Sequence, residues 1–121
     1  IIPFTSIIDQ NAEELRKFME DKQIDGSFTT NTILEHHSNL TQDESTWKQK
    51  ILSENWDSPI IYTTNVQFLE TLFDSGTRSA RRMHQFANSI IIFDEVQALP
   101  IKCIHMFNNS INFLVKNCGA S

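Results

Sequence analysis

The sequence predicts an α/β fold, in which a parallel sheet is flanked by helices within one domain. Short apolar runs such as "PIIYT" and "IIIF" alternate with longer segments whose apolar residues recur at helical spacing. Strands that are apolar at consecutive positions are typical of a parallel sheet that helices cover on both faces. The length of 121 residues suits a single domain.

The first predicted elements are a strand at Ile1–Phe4 and the helix that follows it. Thr5 and Ser6 stand where this helix begins, and hydroxyl side chains are preferred at helix starts. The helix is predicted to end near Lys22. Its apolar face consists of Ile8, Ala12, Leu15 and Met19.

The middle of the chain predicts two more strands, each followed by a helix. The first strand is Thr32–His36, and the helix after it, with Asp43 as its candidate cap, runs through Trp47 to about Glu54. The second strand is Pro59–Thr63, and Asn65 is the predicted cap of the next helix. The core-facing residues of that helix are predicted to be Val66, Leu69 and Phe73.

The last part of the chain predicts a helix, a strand and a long final helix. These elements are Ser79–Ala87, Ile90–Phe93 and Ile101–Asn117. Gly119 stands where a helix C-terminal cap belongs. The apolar stripe of the final helix consists of Ile104, Phe107, Ile111 and Leu114.

The charge balance argues against a general electrostatic grip on nucleic acid. The formal net charge is -5 and the pI is about 5.2, whereas such binding relies on clustered Lys and Arg. Hydroxyl groups, backbone amides and helix starts can still hold phosphates. No apolar run is long enough to cross a membrane. Cys103 and Cys118 are expected to be free thiols, which favours a reducing, cytoplasmic compartment.

One apolar run, in the stretch "IIIFDEVQALP" (Ile90 to Pro100), ends in two acids. Ligands of open parallel sheets bind at the carboxyl ends of strands, where Asp94 and Glu95 are predicted to lie. A strand-end Asp suits Mg²⁺ held through water, and a neighbouring Glu suits activation of an attacking water. The alternative is a strand end that emerges into solvent, and the motif alone does not decide between the two.

Several separated stretches resemble one family of motor enzymes. "IIIFDEVQALP" resembles the DExx box of superfamily 2 helicases, "IPFTSIIDQNAE" their Ia motif, and "PIIYTTNVQFLETLF" their Ib region, in the family's order. Together with "EHHSNL" and "ENWDSP", these segments are similar to the helicase part of the type I CRISPR-associated helicase–nuclease, and the resemblance covers nearly the whole chain. The resemblance implies that residues 1–121 are a partial first RecA-like lobe of a P-loop NTPase.

The resemblance also implies roles at the "DEVQ" box. Asp94 would hold Mg²⁺ through water, Glu95 would orient the attacking water, and Gln97 would link the nucleotide site to the second lobe. The alternative for Gln97 is a surface amide. Mg²⁺ and ATP are the implied cofactors of the intact protein, and neither is expected to bind tightly to this chain.

The same resemblance implies that polar residues at two helix starts face translocated single-stranded DNA. Hydroxyl groups and the free N–H groups of a helix start can hold phosphates without reading base sequence. The alternative is that Ser6 and Asn65 are plain helix caps, although one helix start can be capped when empty and phosphate-bound when loaded. The implied DNA-facing residues are Thr5, Ser6, Thr63, Thr64 and Asn65.

A motor of this family needs a phosphate-binding loop that ends in Gly-Lys-Ser/Thr. The three glycines are followed by Ser27, Thr77 and Ala120, so these residues contain no such loop. We therefore expect a fragment that also lacks the second lobe and the nuclease domain, and that alone neither hydrolyses ATP nor unwinds DNA. Its implied partners are single-stranded DNA, those missing domains and a CRISPR surveillance complex. An open sheet edge would favour self-association of the fragment.

Other interpretations stay open on sequence grounds. The chain is alternatively a non-catalytic RecA-like binding or interaction module, or part of another superfamily 2 helicase that acts on RNA. The basic run "TRSARR" is either a solvated helix face or a contact for displaced DNA or a partner complex. His36 and His37 are adjacent in a predicted strand and point to opposite faces, so we do not expect them to share a metal ion.

Overall fold

The computed structural model describes residues 1–21, 32–36 and 47–121. Within these ranges the chain is rich in helix and contains a small parallel sheet, which is compatible with an α/β fold. Asp43, Lys22 and His37 lie outside the described residues. The strands are β1 (Ile33–His36) and β2 (Ile60–Thr63), and the helices are α1 (Thr5–Asp21), α2 (Trp47–Asn55), α3 (Asn65–Phe73), α4 (Thr77–Met83) and α5 (Ile104–Cys118). Single 3₁₀ turns occur at His84–Phe86, Val96–Ala98 and Ile101–Cys103.

The described sheet pairs β1 with β2 in parallel, which confirms both predicted strands of the middle region. Ile33 lies opposite Ile60, and His36 lies opposite Thr63. The predicted strand at the N-terminus is reduced to one residue, since Ile2 forms an isolated parallel bridge with Thr64. This strand is short because the chain enters α1 at Thr5, three residues after the bridge.

The predicted strand Ile90–Phe93 is not a regular strand, although its backbone makes sheet-like hydrogen bonds. Ile1 donates from its backbone nitrogen to the carbonyl of Ile92 at 2.6 Å and accepts from the Asp94 N–H at 2.9 Å. Ser121 likewise accepts from the Ile91 N–H at 2.8 Å and donates to the carbonyl of Ser89 at 3.0 Å. In a parallel sheet, one residue bonds to two residues of the neighbouring strand that lie two positions apart, as Ile1 and Ser121 each do here. Each neighbour supplies one bonded residue, which is too little for a continuous ladder.

Helix α1 has the predicted start and the predicted apolar face. It begins at Thr5, and Ile8 and Ala12 on its inner face are fully buried. Ile33 is buried outside the main core cluster, whereas its neighbour Leu34 packs against that cluster. Because successive side chains of a strand point to opposite faces, α1 covers one face of the sheet and the main core covers the other.

The main core is an aromatic cluster on the second face of the sheet. Phe68 of α3 is fully buried and meets Phe86, Phe93 and Phe107 edge to face. Trp56 adjoins Phe86 in the same geometry, with ring centroids 5.6 Å apart. These contacts attach α3, α5 and the segment before α5 to one another, and so they fix the position of the strand ends.

The prediction that Val66, Leu69 and Phe73 form the core face of α3 is confirmed for Leu69, which packs against the main core, and is wrong for the other two. Val66 and Phe73 are 62% and 52% exposed, while Phe68 and Thr71 on the neighbouring stripe are buried. Phe68 and Leu72 are also apolar residues at helical spacing, so periodicity alone does not choose between the two stripes. The larger number of aromatic partners on the Phe68 side decides the orientation.

The ends of the later helices follow local signals. α4 begins at Thr77, directly after Gly76, and a 3₁₀ turn replaces the end of the predicted helix Ser79–Ala87. α5 ends at Cys118, and Gly119 adopts the left-handed conformation with φ 68°, as predicted for a C-terminal cap. Cys103 and Cys118 are both free. None of the described helices combines the length and apolar character needed to span a membrane.

Candidate functional site

The start of α3 is built by the end of β2. Thr64 is the N-cap, with extended backbone angles (φ −89°, ψ 159°), and its Oγ1 accepts a hydrogen bond from the Gln67 N–H at 3.3 Å. The prediction that Asn65 caps this helix is therefore wrong, since Asn65 is its first helical residue. The bridge to Ile2 explains the difference, because it holds Thr64 in the extended conformation that an N-cap requires.

The three polar residues at this junction are buried. Thr63, Thr64 and Asn65 are 2%, 8% and 7% exposed. Thr63 Oγ1 and Asn65 Oδ1 have no hydrogen-bond partner among the described residues. Buried polar atoms without partners are uncommon and cost about 1–3 kcal/mol each, so they mark a place where a water, an ion or a ligand group would be stabilising.

The start of α1 lies beside the start of α3. Ile2 donates from its backbone N–H to the Thr63 carbonyl at 2.9 Å, and the chain enters α1 at Thr5. Thr5 is half-buried and Ser6 is exposed. The structure thus brings the two predicted groups of hydroxyl residues to the same edge of the sheet, because the strands before them run in parallel.

The residues of the "DEVQ" box emerge at the same edge. The Asp94 N–H donates to the carbonyl of Ile1, which places Asp94 next to the segment that leads into α1. Asp94, Glu95 and Gln97 are all exposed, and Gln97 Nε2 donates a hydrogen bond to Glu95 Oε2. Glu95 adopts the left-handed conformation with φ 52° and ψ 42°. This conformation costs a residue other than Gly about 1–2 kcal/mol, and such strain often occurs at functional sites.

The arrangement of acids does not by itself form a metal centre. Across residues 1–21, 32–36 and 47–121, no three side chains of His, Cys, Asp or Glu converge where they would hold an ion. Asp94 and Glu95 are exposed oxygen donors, and this is the ligand type that Mg²⁺ accepts while keeping much of its water. The chemistry of these two donors is therefore compatible with an Mg²⁺ ion held through water.

An open polar groove of about 340 Å³ lies between α3, α4 and the end of β1. Its walls carry two carboxylates and two guanidinium groups, together with one imidazole, so the groove has no strong charge preference. The residues that line it are His36, Gln67, Glu70, Asp74, Arg78, Ser79 and Arg82.

Neither interpretation of the basic run, as a solvated helix face or as a contact for DNA or a partner, distinguishes Arg82 from the other two arginines. Arg78 and Arg81 are exposed, but Arg82 is half-buried, with its guanidinium 5.5 Å from the centre of the Trp56 ring. Burial lowers the pKa of Arg82 from its usual value. The available signal was helical spacing, since Arg82 follows the buried Ser79 by one turn while Arg81 lies off that face.

Comparison with known proteins gives one distant similarity. The chain is 28% identical over 114 residues to the CRISPR-associated nuclease/helicase Cas3 of Haloferax volcanii. The match covers 82% of this chain and 12% of that protein, so the chain spans about an eighth of the relative's length. No protein-family model matches the chain. The similarity supports a Cas3-related helicase region.

Proposed function

We propose that this chain is part of the first RecA-like lobe of an ATP-dependent translocase or helicase that acts on single-stranded DNA in CRISPR antiviral defence. The observation that carries the proposal is the convergence of three polar groups at one sheet edge: Thr5 and Ser6, Thr63 to Asn65, and Asp94 to Gln97. The distant similarity to a nuclease/helicase supports it. The intact protein would be cytoplasmic in a prokaryotic cell and would work with its second lobe, its nuclease domain and a CRISPR surveillance complex.

The DNA-facing part of the proposed site is the junction between β2 and α3. N–H groups of the first helical turn that have no partner inside the helix favour an anionic oxygen. Thr64 occupies one of them, that of Gln67, through its Oγ1. The buried hydroxyl of Thr63 lacks a partner among the described residues and can donate to a phosphate oxygen, whereas the Oδ1 of Asn65 only accepts and would need a bridging water. Such groups hold a sugar–phosphate backbone without selecting a base, which is what movement along any sequence requires.

The nucleotide-facing part is the "DEVQ" box. Mg²⁺-ATP, when bound to the intact protein, supplies the phosphoryl group that is transferred to water. Asp94 would hold the ion through water, and Glu95 would orient the attacking water and accept its proton. Gln97 holds the Glu95 carboxylate through its amide N–H, which restricts the directions in which that carboxylate points. Since the chain contains no Gly-Lys-Ser/Thr stretch, we expect the isolated chain to be inactive.

The test is ATP hydrolysis by the intact protein, with and without single-stranded DNA. Asp94→Asn and Glu95→Gln are expected to lower DNA-stimulated turnover by at least about a hundredfold, as is usual when a catalytic acid or base is lost. Asp57→Asn and Glu14→Gln are matched controls, since they change the same chemical groups at exposed positions on other elements. Turnover that survives both changes at the "DEVQ" box would contradict the motor assignment and favour a non-catalytic binding module.

The choice of nucleic acid is tested in the same assay. Stimulation by single-stranded DNA and not by RNA of the same sequence is expected. Stimulation by RNA alone would instead support a superfamily 2 helicase that acts on RNA. Comparison of the two polymers needs equal salt, because phosphate contacts make both affinities depend steeply on ionic strength.

A further inference from the structure

Gln67 is the centre of a hydrogen-bond network in the first turn of α3. Its backbone N–H donates to Thr64 Oγ1 at 3.3 Å, and its carbonyl accepts from Thr71 Oγ1 at 2.8 Å. Its side-chain amide donates to Glu70 Oε2 at 2.8 Å and accepts from the Arg82 guanidinium at 3.4 Å. The orientation of the capped turn is therefore coupled to the position of Arg82.

Arg82 is fixed from the opposite side by α2 and by the residue that follows this helix. Its Nε donates to the carbonyl of Glu54 at 3.1 Å, in the last turn of α2, where carbonyls lack partners inside the helix. Its guanidinium lies 5.5 Å from the ring centre of Trp56, which is 2% exposed. Burial and the neighbouring guanidinium group of Arg78 lower the pKa of Arg82, and the carboxylates of Glu54 and Glu70 oppose this shift only in part. Two hydrogen bonds and one ring contact thus hold a planar group in a single orientation.

We propose that Arg82 is a positioning residue for nucleic-acid binding, acting through Gln67 on the first turn of α3. The inference rests on the proposed function, which assigns strand contact to that turn. Because Nε and Nη1 of Arg82 already donate to Glu54 and Gln67, and its face is against Trp56, we assign it a positioning role and not a direct phosphate contact. Arg81, one residue earlier on the same helix, is exposed and provides the contrast.

The experiment measures single-stranded DNA affinity and its salt dependence for variants of the intact protein. Arg82→Gln and Gln67→Ala are each expected to weaken binding about tenfold, the effect of losing a hydrogen bond to a charged group. The double variant is expected to bind no more weakly than either single variant, since both changes break the same connection. Arg82→Lys keeps the charge without the planar fork and is expected to show most of the loss.

The salt dependence separates positioning from direct contact. A lost phosphate contact lowers the slope of log affinity against log salt by about 0.7 for single strands, whereas a lost positioning residue leaves that slope unchanged. A lower slope in Arg82→Gln, additive effects in the double variant, or full binding by Arg82→Lys would each overturn the inference. Arg81→Gln is the control for removal of one positive charge from α4. Absence of DNA binding by the unaltered protein would overturn the proposed function, and this inference with it.

Discussion

The orientation of α3 is the structural result that a single substitution tests most directly. Phe68 is fully buried, and its ring centre lies 5.3, 5.1 and 6.3 Å from those of Phe86, Phe93 and Phe107. Replacing a buried Phe by Ala costs about 3–5 kcal/mol, through lost burial and the cavity that remains. Each aromatic pair adds about 0.5–1.5 kcal/mol beyond burial, so the expected loss for Phe68→Ala lies at the upper end of that range.

Urea unfolding followed by tryptophan fluorescence measures this loss, because Trp56 lies within the cluster, 5.6 Å from Phe86. With a urea slope of about 1–3 kcal/mol/M, the midpoint is expected to fall by more than about 1 M. Phe68→Leu keeps most of the volume and is expected to cost about 1.5 kcal/mol, which gives a measurable variant if the Ala variant does not fold.

The matched controls for Phe68 are the residues that the sequence pattern placed in the core. Val66→Ala and Phe73→Ala are expected to cost about 1 kcal/mol or less, since these side chains are 62% and 52% exposed. A large loss for Phe73→Ala together with a small loss for Phe68→Ala would refute the orientation of α3. The buried face of α3 would then be the one predicted from the sequence, which contains Val66 and Phe73.

Two further substitutions test the left-handed positions. Gly119→Ala is expected to lower the unfolding free energy by at least about 1–2 kcal/mol, because φ is 68° and an added Cβ would lie 2.6 Å from Asn88 Oδ1. Thermal unfolding measures this change. The double variant with Asn88→Ala is expected to remove the clash, while the cost of the positive φ at residue 119 remains. An unchanged melting temperature would show that Gly119 does not hold this conformation. Glu95→Gly is expected to raise the unfolding free energy by about 0.5–1 kcal/mol, since it relieves a positive φ of 52°, while DNA-stimulated ATP hydrolysis by the intact protein is lost. Glu95→Ala should lose the activity without the gain in stability, and an equal gain from Ala would contradict the strain at this residue.

The elements that could be predicted are those set by local signals. β1 and β2 follow from short apolar runs between turn residues, and the start of α1 follows from hydroxyl residues after an apolar run. The end of α5 follows from Gly119, whose left-handed conformation few other residues adopt without cost. In each case the deciding interaction lies within a few residues along the chain, where a sequence pattern contains the information.

The features that could not be predicted depend on distant partners. The choice between the two apolar stripes of α3 depends on Phe86, Phe93 and Phe107, which come together only in the folded chain. The burial of Arg82 depends in the same way on Trp56, which lies on the other side of β2 and α3 in the chain and adopts a left-handed backbone conformation. A helical spacing argument places Arg82 near the face of Ser79, but it does not reveal what that face meets.

The segment before the "DEVQ" box illustrates a partial success of the pattern. Four consecutive apolar residues predict burial on both faces of a sheet. In the structure Phe93 and Ile91 pack against the core, while Ile90 and Ile92 are 80% and 73% exposed. Alternation along the backbone explains which pair is covered, since the main core lies on one face of this segment only.

The predicted self-association of the fragment through an open sheet edge stays a prediction.

The candidate site also clarifies what capping and ligand binding require of one helix start. The sequence offered Asn65 both as a cap and as a DNA contact, since one helix start can be capped when empty and phosphate-bound when loaded. The structure assigns the cap to Thr64 and leaves the Asn65 Oδ1 buried without a partner among the described residues. The capping role therefore falls on Thr64, and the DNA contact of Asn65 stays a prediction. Of the two buried atoms without partners at this junction, the Thr63 hydroxyl can donate to a phosphate oxygen directly, whereas the Asn65 Oδ1 only accepts and would reach a phosphate through a bridging water.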